Sequence, residues 1–374
     1  MNILILISGE YPGPSAGAKR VSYYKRGLVE NDNNTIVDII GFKSNPKNRF
    51  EVTANLFIRP LKVFFRFLLT KGKYDILFIY GFDWFTLILL SIAGKVKGIK
   101  LVLEVNEKPG SVYGNFITEW KLVRWVIIRM THFSYRFMDG FVVISDLLEE
   151  FLKKHCSKHA KIIKIPIIVD ISRGTEEIKR PHAKFPYLLH TGSLSDRKDG
   201  IIEVFEAFVI TNQQLKNQLH FYLTSKIATK EDWLKINTII EKSDSQDYVH
   251  FLGDISEEDL LSFQKYCSLT VINKYTNEQN LHNFPTKLGE YFSFGVPVLT
   301  TAVGEMGKYL TNEENSYIYK ENNVKELAAK MVEVILNEDK SRLIGNNGRE
   351  IARKNFNYLT EGNRLLLFLQ NFNS

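Results

Sequence analysis

In the stretch HNFPTKLGEYFSFGVPVLTT, residues 282–301, Lys287 and Glu290 stand three positions apart. On a helix that spacing puts both side chains on one face. Pro285 suits the first turn of such a helix, where its missing N–H has no intrahelical partner, and Asn283 can cap just upstream. Gly295 can end the helix and Pro297 can open the strand that follows. A phosphate fits the helix start, held by free amides and the Lys287 ammonium. Glu290, one turn deeper, offers two carboxylate oxygens to two adjacent hydroxyls such as those of a ribose. A solvated Lys–Glu pair has the same spacing, so the surrounding elements have to decide between the two readings.

Two glycine-bearing loops carry related chemistry. SGEYPGPSAGAKR (8–20) follows an apolar run and opens a helix. Its Gly9, Gly13 and Gly17 permit an anion to approach free N–H groups, although the spacing is not that of a dinucleotide fingerprint. HTGSLSDRKDG (190–200) sets Arg197 and Lys198 between a strand and a helix. Two cations there can neutralise a diphosphate as it gains charge on leaving. The first loop also reads as an ordinary strand–helix connection, and the second as a solvated basic loop. His155 and His159 have i, i+4 spacing but no third ligand, which favours a solvated helix end over zinc. There is no Gly-x-Ser-x-Gly, Walker loop or Cys-x-x-Cys.

The elements that must position these residues alternate. Apolar runs at 2–8, 35–42, 75–81, 100–106 and 140–145 read as buried strands with helical patterns between them. The pattern restarts with runs at 187–194, 219–225, 248–254, 269–274 and 296–302. The expected fold is α/β: two Rossmann-like domains with parallel sheets, facing a central cleft, with ligands beyond the carboxyl ends of the strands. The polar stretch 170–186 reads as a linker. The domains are expected at 1–172 and 173–355, with 356–374 a terminal helix.

The chain has 374 residues, 49 Lys+Arg against 42 Asp+Glu, and a net charge of +7, which favours an anionic partner. Cys156 and Cys267 form no disulfide framework, and the first residues lack the features of a signal peptide; a cytoplasmic location is expected. The apolar run 76–94 is interrupted by Gly81 and Asp83 and reads as a strand and helix rather than a membrane span. Residues 56–73 and 120–138 mix cations with large apolar side chains. Arg59, Lys62, Phe65 and Arg66 in the first, and Lys121, Arg124 and Trp125 in the second, are candidates for contact with an anionic membrane surface, at the inner face of a membrane. A core helix whose cations reach solvent is the other reading. No nucleic-acid-binding fold surrounds these cations, so nucleic acid is not an expected partner.

The segment FPTKLGEYFSFGVPVLTT resembles the nucleotide-binding segment of the retaining GT-B glycosyltransferases called glycosyltransferase group 1, in the branch that reads Pro-Ser/Thr-Lys-x-x-Glu-Tyr and then Gly-x-Pro-Val. FVVISDLLEEFLKK, IKIPIIVD (163–170), HTGSLSDRKDG and VHFLGDISEEDLLSFQKYCSLTVI resemble further family segments in order. The likeness is strongest from about 185 to 335. It implies a GT-B fold, with 1–172 on the acceptor side, 173–355 binding the nucleotide sugar and 356–374 returning to the first domain. It implies that Glu290 holds the ribose, that Lys198, Lys287 and amides near Thr286 hold the diphosphate, that Gly253, Asp254 and Ile255 face the base, and that Gly17 lies near donor phosphate or acceptor.

The implied activity is retaining transfer of a sugar from a nucleotide-sugar donor to a glycan or lipid-linked acceptor, in surface polysaccharide or glycan synthesis. No cofactor or metal is expected, because lysine, arginine and helix ends stabilise the leaving diphosphate. The chain departs from the family pattern at Ile167, where the stretch 163–170 usually has an asparagine, and at three further places. His282 stands where many relatives carry a first glutamate, with Asn283 beside it. Ser193 stands where the loop has an arginine, and Arg197 is the candidate substitute. Asn106 and Glu107 follow the strand where a histidine is common, and are read as sugar- or acceptor-side contacts, Glu107 as a possible base. The departures at 282, 193 and 106 motivate one alternative, a silent scaffolding subunit; a nucleotide-sugar epimerase on the same fold is the other.

Overall fold

The structure is a computed structural model that describes residues 1–43, 49–111, 121–192, 194–224 and 229–372, with residues 49–54 described by backbone alone. Ser193 lies outside the described residues. The chain divides into two compact units, Met1–Ile168 with Tyr358–Ser374, and Val169–Asn357.

The first unit is built on six parallel strands: β1 (Asn2–Ile7), β2 (Ile36–Gly41), β3 (Ile76–Tyr80), β4 (Lys100–Val105), β5 (Gly140–Val143) and β6 (Lys161–Lys164), in the order β2-β1-β3-β4-β5-β6. The middle strands are unbroken apolar runs because both their faces are covered: Ile3 to Ile7 in β1 and Ile76 to Ile79 in β3 are all buried. The helices are α1 (Ala16–Asn31), α2 (Arg49–Leu69), α3 (Trp84–Lys97), α4 (Lys121–Ser134), α5 (Asp146–Lys153) and the terminal α14 (Tyr358–Gln370). Right-handed crossovers put α1 on one face of this sheet and α2, α3 and α4 in a row on the other. In agreement, α2 packs on α3 and α3 on α4, while α1 packs on α14. α14 joins this unit through Gly27 and Gly362, where neither helix has room for a Cβ.

The second unit repeats the plan with β7 (Tyr187–His190), β8 (His220–Thr224), β9 (Val249–Gly253), β10 (Leu269–Ile272), β11 (Val298–Thr300) and β12 (Tyr317–Ile318), in the order β12-β11-β10-β7-β8-β9. Its helices are α6 (Asp196–Asp199), α7 (Ile201–Gln214), α8 (Lys230–Lys242), α9 (Glu257–Tyr266), α10 (Glu278–His282), α11 (Thr286–Phe294), α12 (Val324–Leu336) and α13 (Glu338–Asn355). Successive strands run outward on either side of β7, so the order reverses between β7 and β10. In an open parallel sheet that reversal leaves a crevice at the carboxyl ends of the two strands.

Residues 170–186 are not a free tether. The Ser262 hydroxyl donates to the Lys179 carbonyl at 2.6 Å, the Tyr266 hydroxyl to Ile178 at 2.8 Å, and Lys265 to Glu176, so α9 straps the stretch to the second unit. β6 and β12 were not legible as strands: β6 is a short edge run, KIIK, and β12 is two residues long.

Candidate functional site

Lys287, the second residue of α11, reaches the reversal point of the second sheet. Its Nζ lies 3.2 Å from Nε2 of His190, the last residue of β7, and 3.6 Å from Oδ1 of Asp199 at the end of α6. Lys274, two residues beyond β10, holds the same Asp199 oxygen at 2.7 Å and donates to the Lys198 carbonyl at 2.9 Å. All three side chains are largely shielded: Lys287 keeps 18% of its exposure, Lys274 7% and Asp199 6%. Burial lowers the Lys287 ammonium to about 8, although Asp199 opposes the shift. Burial works against ionised Asp199, but Lys287, Lys274 and His190 outweigh it and hold the carboxyl at about 2. Burial also lowers Lys274, partly offset by Asp199. With Lys198 close enough to depress both lysines, and Glu290 close enough to oppose the shift on Lys287, the cluster holds three cations against two carboxylates. That excess suits a diphosphate.

The backbone around the cluster leaves no slack. Gly192 has φ +80°, and a Cβ there would meet Cε of Lys287 at 3.1 Å. The Tyr291 hydroxyl accepts from the Thr191 amide at 3.1 Å and lies 2.9 Å from the Thr191 hydroxyl, fixing the loop to α11. Gly200 has φ +52°, and a Cβ there would run into Asn273. The Asn273 amide donates to the Gly200 carbonyl and to Glu203, each at 2.9 Å. Asn273 and Lys274 together therefore fix the turn that bears Lys198. Arg197, on the same turn, is exposed.

Glu290 shares the Lys287 side of α11 and is half-buried; its Oε2 accepts from Gln264 of α9 at 3.3 Å. Gly253 ends β9 at φ +68°, Asp254 is exposed and Ile255 half-buried. Ser256 then caps α9, accepting from the Asp259 amide at 3.0 Å. His282 closes α10 with Nδ1 2.8 Å from the Glu278 carbonyl. Asn283 does not cap α11, as its position suggested. Its N–H donates to Gln279 and ends α10, and Pro285 takes the cap position with no side-chain bond. The extra short helix α10 takes up the residues that would have formed a simple cap. Thr286 thus opens α11 with its amide directed to the start of the helix.

The first unit carries the remaining candidates. Gly17 lies in the first turn of α1, where a Cβ would press on the Tyr80 ring at 2.8 Å. Asn106 and Glu107 leave β4 half-buried. Beneath them lies a cluster the sequence reading missed. Arg20 of α1 donates Nε to Glu104 of β4 and its two other nitrogens to the carbonyls of Pro166 (2.6 Å) and Ile165 (2.8 Å). The Tyr24 hydroxyl donates to the same Glu104 oxygen at 3.2 Å. Burial raises the Glu104 carboxyl and Arg20 opposes the rise.

Two membrane-contact candidates turn inward. Arg59 donates to the Ser8 hydroxyl at 2.7 Å and to the Phe42 carbonyl at 3.0 Å, and Arg124 donates to Gly110. Their guanidiniums reach loop oxygens within the unit, which compete with solvent. Lys62, Phe65, Arg66, Lys121 and Trp125 are exposed. Among the described residues no group of three or more His, Cys, Asp or Glu could hold a metal ion. His155 instead packs its ring on His132, with centroids 4.1 Å apart.

Asp199, Lys274, His190 and Gln264 were absent from the residues expected to act. The Lys-Asp-Gly run at 198–200 was the available signal for Asp199; Lys274 and Gln264 become visible only once β10 and α9 are placed.

Solved structures share this architecture. HepE of Anabaena, solved with UDP and glucose, superimposes with a TM-score of 0.73 at 17% identity, covering 99% of this chain and all of that one. Sucrose-phosphate synthase of Thermosynechococcus elongatus gives 0.71 at 16%, with 99% of each chain covered. The lipopolysaccharide outer core galactosyltransferase WaaB gives 0.64 at 13%, covering 99% and 100%. Two six-stranded parallel sheets with these helices define the GT-B fold. Residues 174–351, just under half of the chain, match the family model described as glycosyl transferases group 1. A curated relative, an uncharacterized glycosyltransferase of Methanocaldococcus jannaschii, is 28% identical over 120 residues, a match spanning 32% of each protein.

Proposed function

We propose that this protein transfers a hexose from a UDP-hexose donor to a hydroxyl of a glycan or lipid-linked acceptor, with retention at the anomeric carbon. The carrying observation is the Lys287–Asp199–Lys274 cluster at the reversal point of the second sheet, with Glu290 on the same side of α11. The choice of uridine is supported by HepE, which was solved with UDP and glucose and with UDP-glucose. Lys287, Lys198 and the Thr286 amide bind the diphosphate, Glu290 takes the two ribose hydroxyls, and Gly253 to Ile255 border the base.

The bond between the anomeric carbon and the diphosphate oxygen breaks with both electrons moving to the diphosphate. Lys287 and Lys198 stabilise the charge that appears there. The acceptor oxygen bonds to the same carbon as its proton is lost. Asn106 and Glu107 are the acceptor-side residues of this reading, Glu107 as the base; full transfer by Glu107→Gln excludes that role. The acceptor is met at an anionic membrane surface, and the pathway is surface polysaccharide or glycan synthesis.

The test is a thermal-shift panel of nucleotides and nucleotide sugars on the full chain and on Glu290→Ala. Ligand at a hundred times its dissociation constant adds about 2.7 kcal/mol. Stabilisation by UDP and one UDP-hexose, lost in Glu290→Ala, is expected. Silence toward every nucleotide overturns the reading in favour of a scaffolding subunit. A product that retains UDP, formed without acceptor, points to an epimerase.

A further inference from the structure

The net positive charge of this chain is concentrated in one place. Residues 56–73, 84–98 and 121–138 hold eleven lysines and arginines and no aspartate or glutamate. The whole chain carries +7, so everything outside these stretches sums to −4. In the fold the three stretches become neighbours as α2, α3 and α4, in a row on one face of the first sheet. Phe57 and Phe85 join α2 to α3 with rings 6.2 Å apart. Lys97 of α3 sits 5.4 Å from the Phe67 ring and donates to the Thr70 carbonyl at 3.1 Å. Lys95 stands 5.7 Å from the Phe137 ring just after α4.

The outer surface of this row is apolar where a water-facing helix layer would be polar. Leu69 is 78% exposed on α2, Val96 76% on α3 and Leu122 73% on α4. Phe65 and Trp125 stand out beside them, and Lys62, Arg66, Lys95 and Arg129 are exposed among them.

We infer that α2, α3 and α4 form one composite docking face for an anionic lipid bilayer, with α3 as an integral third element. This sharpens the membrane reading given above and rests on it. Exposed aliphatic and aromatic tips enter the interface between headgroups and acyl chains, while the cations around them meet lipid phosphates. A protein partner fits less well, because lysine is depleted in protein–protein interfaces. For nucleic acid, the exposed leucine and valine tips would have no task.

The test uses the full chain and vesicles of phosphatidylcholine with or without one quarter phosphatidylglycerol. Co-sedimentation with the anionic vesicles is expected, weaker by about tenfold or more without phosphatidylglycerol, and lost in high salt. Leu69→Ser with Val96→Ser, and separately Lys62→Glu with Lys95→Glu, each reduce binding at least tenfold. The Val96 and Lys95 changes report on α3 specifically. UDP stabilisation unchanged in these variants shows that they fold and leaves the transfer reading standing whatever the vesicles show. Equal binding to both vesicle types, no binding at all, or unchanged binding by the variants overturns the inference. So does a concentration-dependent dimer dispersed by Leu69→Ser, which would assign the face to a second copy of the chain.

Discussion

Lys287 stands 3.6 Å from Asp199, just beyond hydrogen-bond reach, and Lys274 occupies the same carboxylate oxygen at 2.7 Å. One largely buried anion thus serves two shielded cations, of which Lys287 is the less tightly held. Removing one partner of a buried ion pair leaves an uncompensated charge and costs about 3–5 kcal/mol. Asp199→Asn is expected to lower the melting temperature by several degrees. UDP brings negative charge to the same cations, so it should stabilise the variant by more than it stabilises the native chain. Thermal unfolding of both proteins with and without UDP measures this. An equal UDP shift in the two proteins rules out a diphosphate at this cluster.

Lys287 also sets a pH dependence. With its ammonium lowered to about 8 by burial, it is charged below that pH and loses its proton above it. A bound diphosphate favours the charged form, so binding takes up a proton when the pH exceeds 8. The dissociation constant for UDP should be flat from pH 6 to about 7.5 and then rise by up to about tenfold per pH unit. Lys287→Ala should remove that slope and lower turnover by about 10²–10³, the usual cost of one group that stabilises leaving charge. Isothermal titration across pH 6–9.5 reads the slope; a native profile that stays flat to 9.5 refutes the assignment.

Much of this site was legible before the fold, for identifiable reasons. Lys287 and Glu290 share a short helix, and helical spacing alone places them together. Gly295 ends that helix at φ +69°, as its position suggested. Asp199, Lys274 and His190 were not legible as a group. They come from α6 and from the ends of β10 and β7, which lie far apart in sequence and meet only because the strand order reverses there. Arg20 and Glu104 illustrate the converse. Glu104 sits inside the strand-like run KLVLEV, where a carboxylate reads as a solvent-facing residue, yet Arg20 neutralises it in the interior. Asn283 was misread because no residue pattern marks a separate short helix, α10, that ends at His282.

Gln264 is a testable addition to the proposed ribose contact. Buried on α9, it donates to Glu290 at 3.3 Å and thereby orients the carboxylate. Glu290→Ala should weaken UDP binding by about 100-fold or more, as expected when two hydrogen bonds to a charged acceptor are lost. Gln264→Leu keeps the carboxylate and loses only its orientation, so a smaller loss of about three- to tenfold is expected. Titration with UDP and with a 2′-deoxy analogue separates the two. The analogue should lose affinity on the native chain and lose little more on Glu290→Ala.

His132 makes the first unit acid-sensitive. Burial chiefly, with His155, Arg129 and Lys108 adding to it, lowers its imidazole from 6.5 to about 4. The unfolded chain therefore binds a proton between pH 6.5 and 4 that the folded chain refuses. Stability is complete above 6.5 and falls as the pH drops toward 4. His132→Phe keeps a ring against His155 and Phe151 without the titration, so its melting temperature should decline less than that of the native chain between pH 6.5 and 4.5. Parallel declines in the two proteins would assign the acid loss to other groups.

The terminal helix offers the sharpest packing test. Gly27 of α1 and Gly362 of α14 meet backbone to backbone: a Cβ on Gly362 would lie 2.6 Å from the Gly27 Cα, and one on Gly27 would lie 2.5 Å from the Tyr358 carbonyl oxygen. This contact is clamped by Arg26, which donates to the Tyr358 hydroxyl at 2.8 Å, and by that hydroxyl donating to Glu30 at 2.7 Å. Alanine at an exposed helical position gains up to about 1 kcal/mol over glycine. Here the added methyl must push two helices apart, and overpacking costs about 1–3 kcal/mol. Gly362→Val, larger and β-branched, should lower the melting temperature by several degrees and raise proteolytic cleavage near residue 357. A control glycine with open space around it, such as Gly9, should tolerate alanine without loss. If Gly362→Val melts with the native chain, α14 is not held to α1 by this close approach.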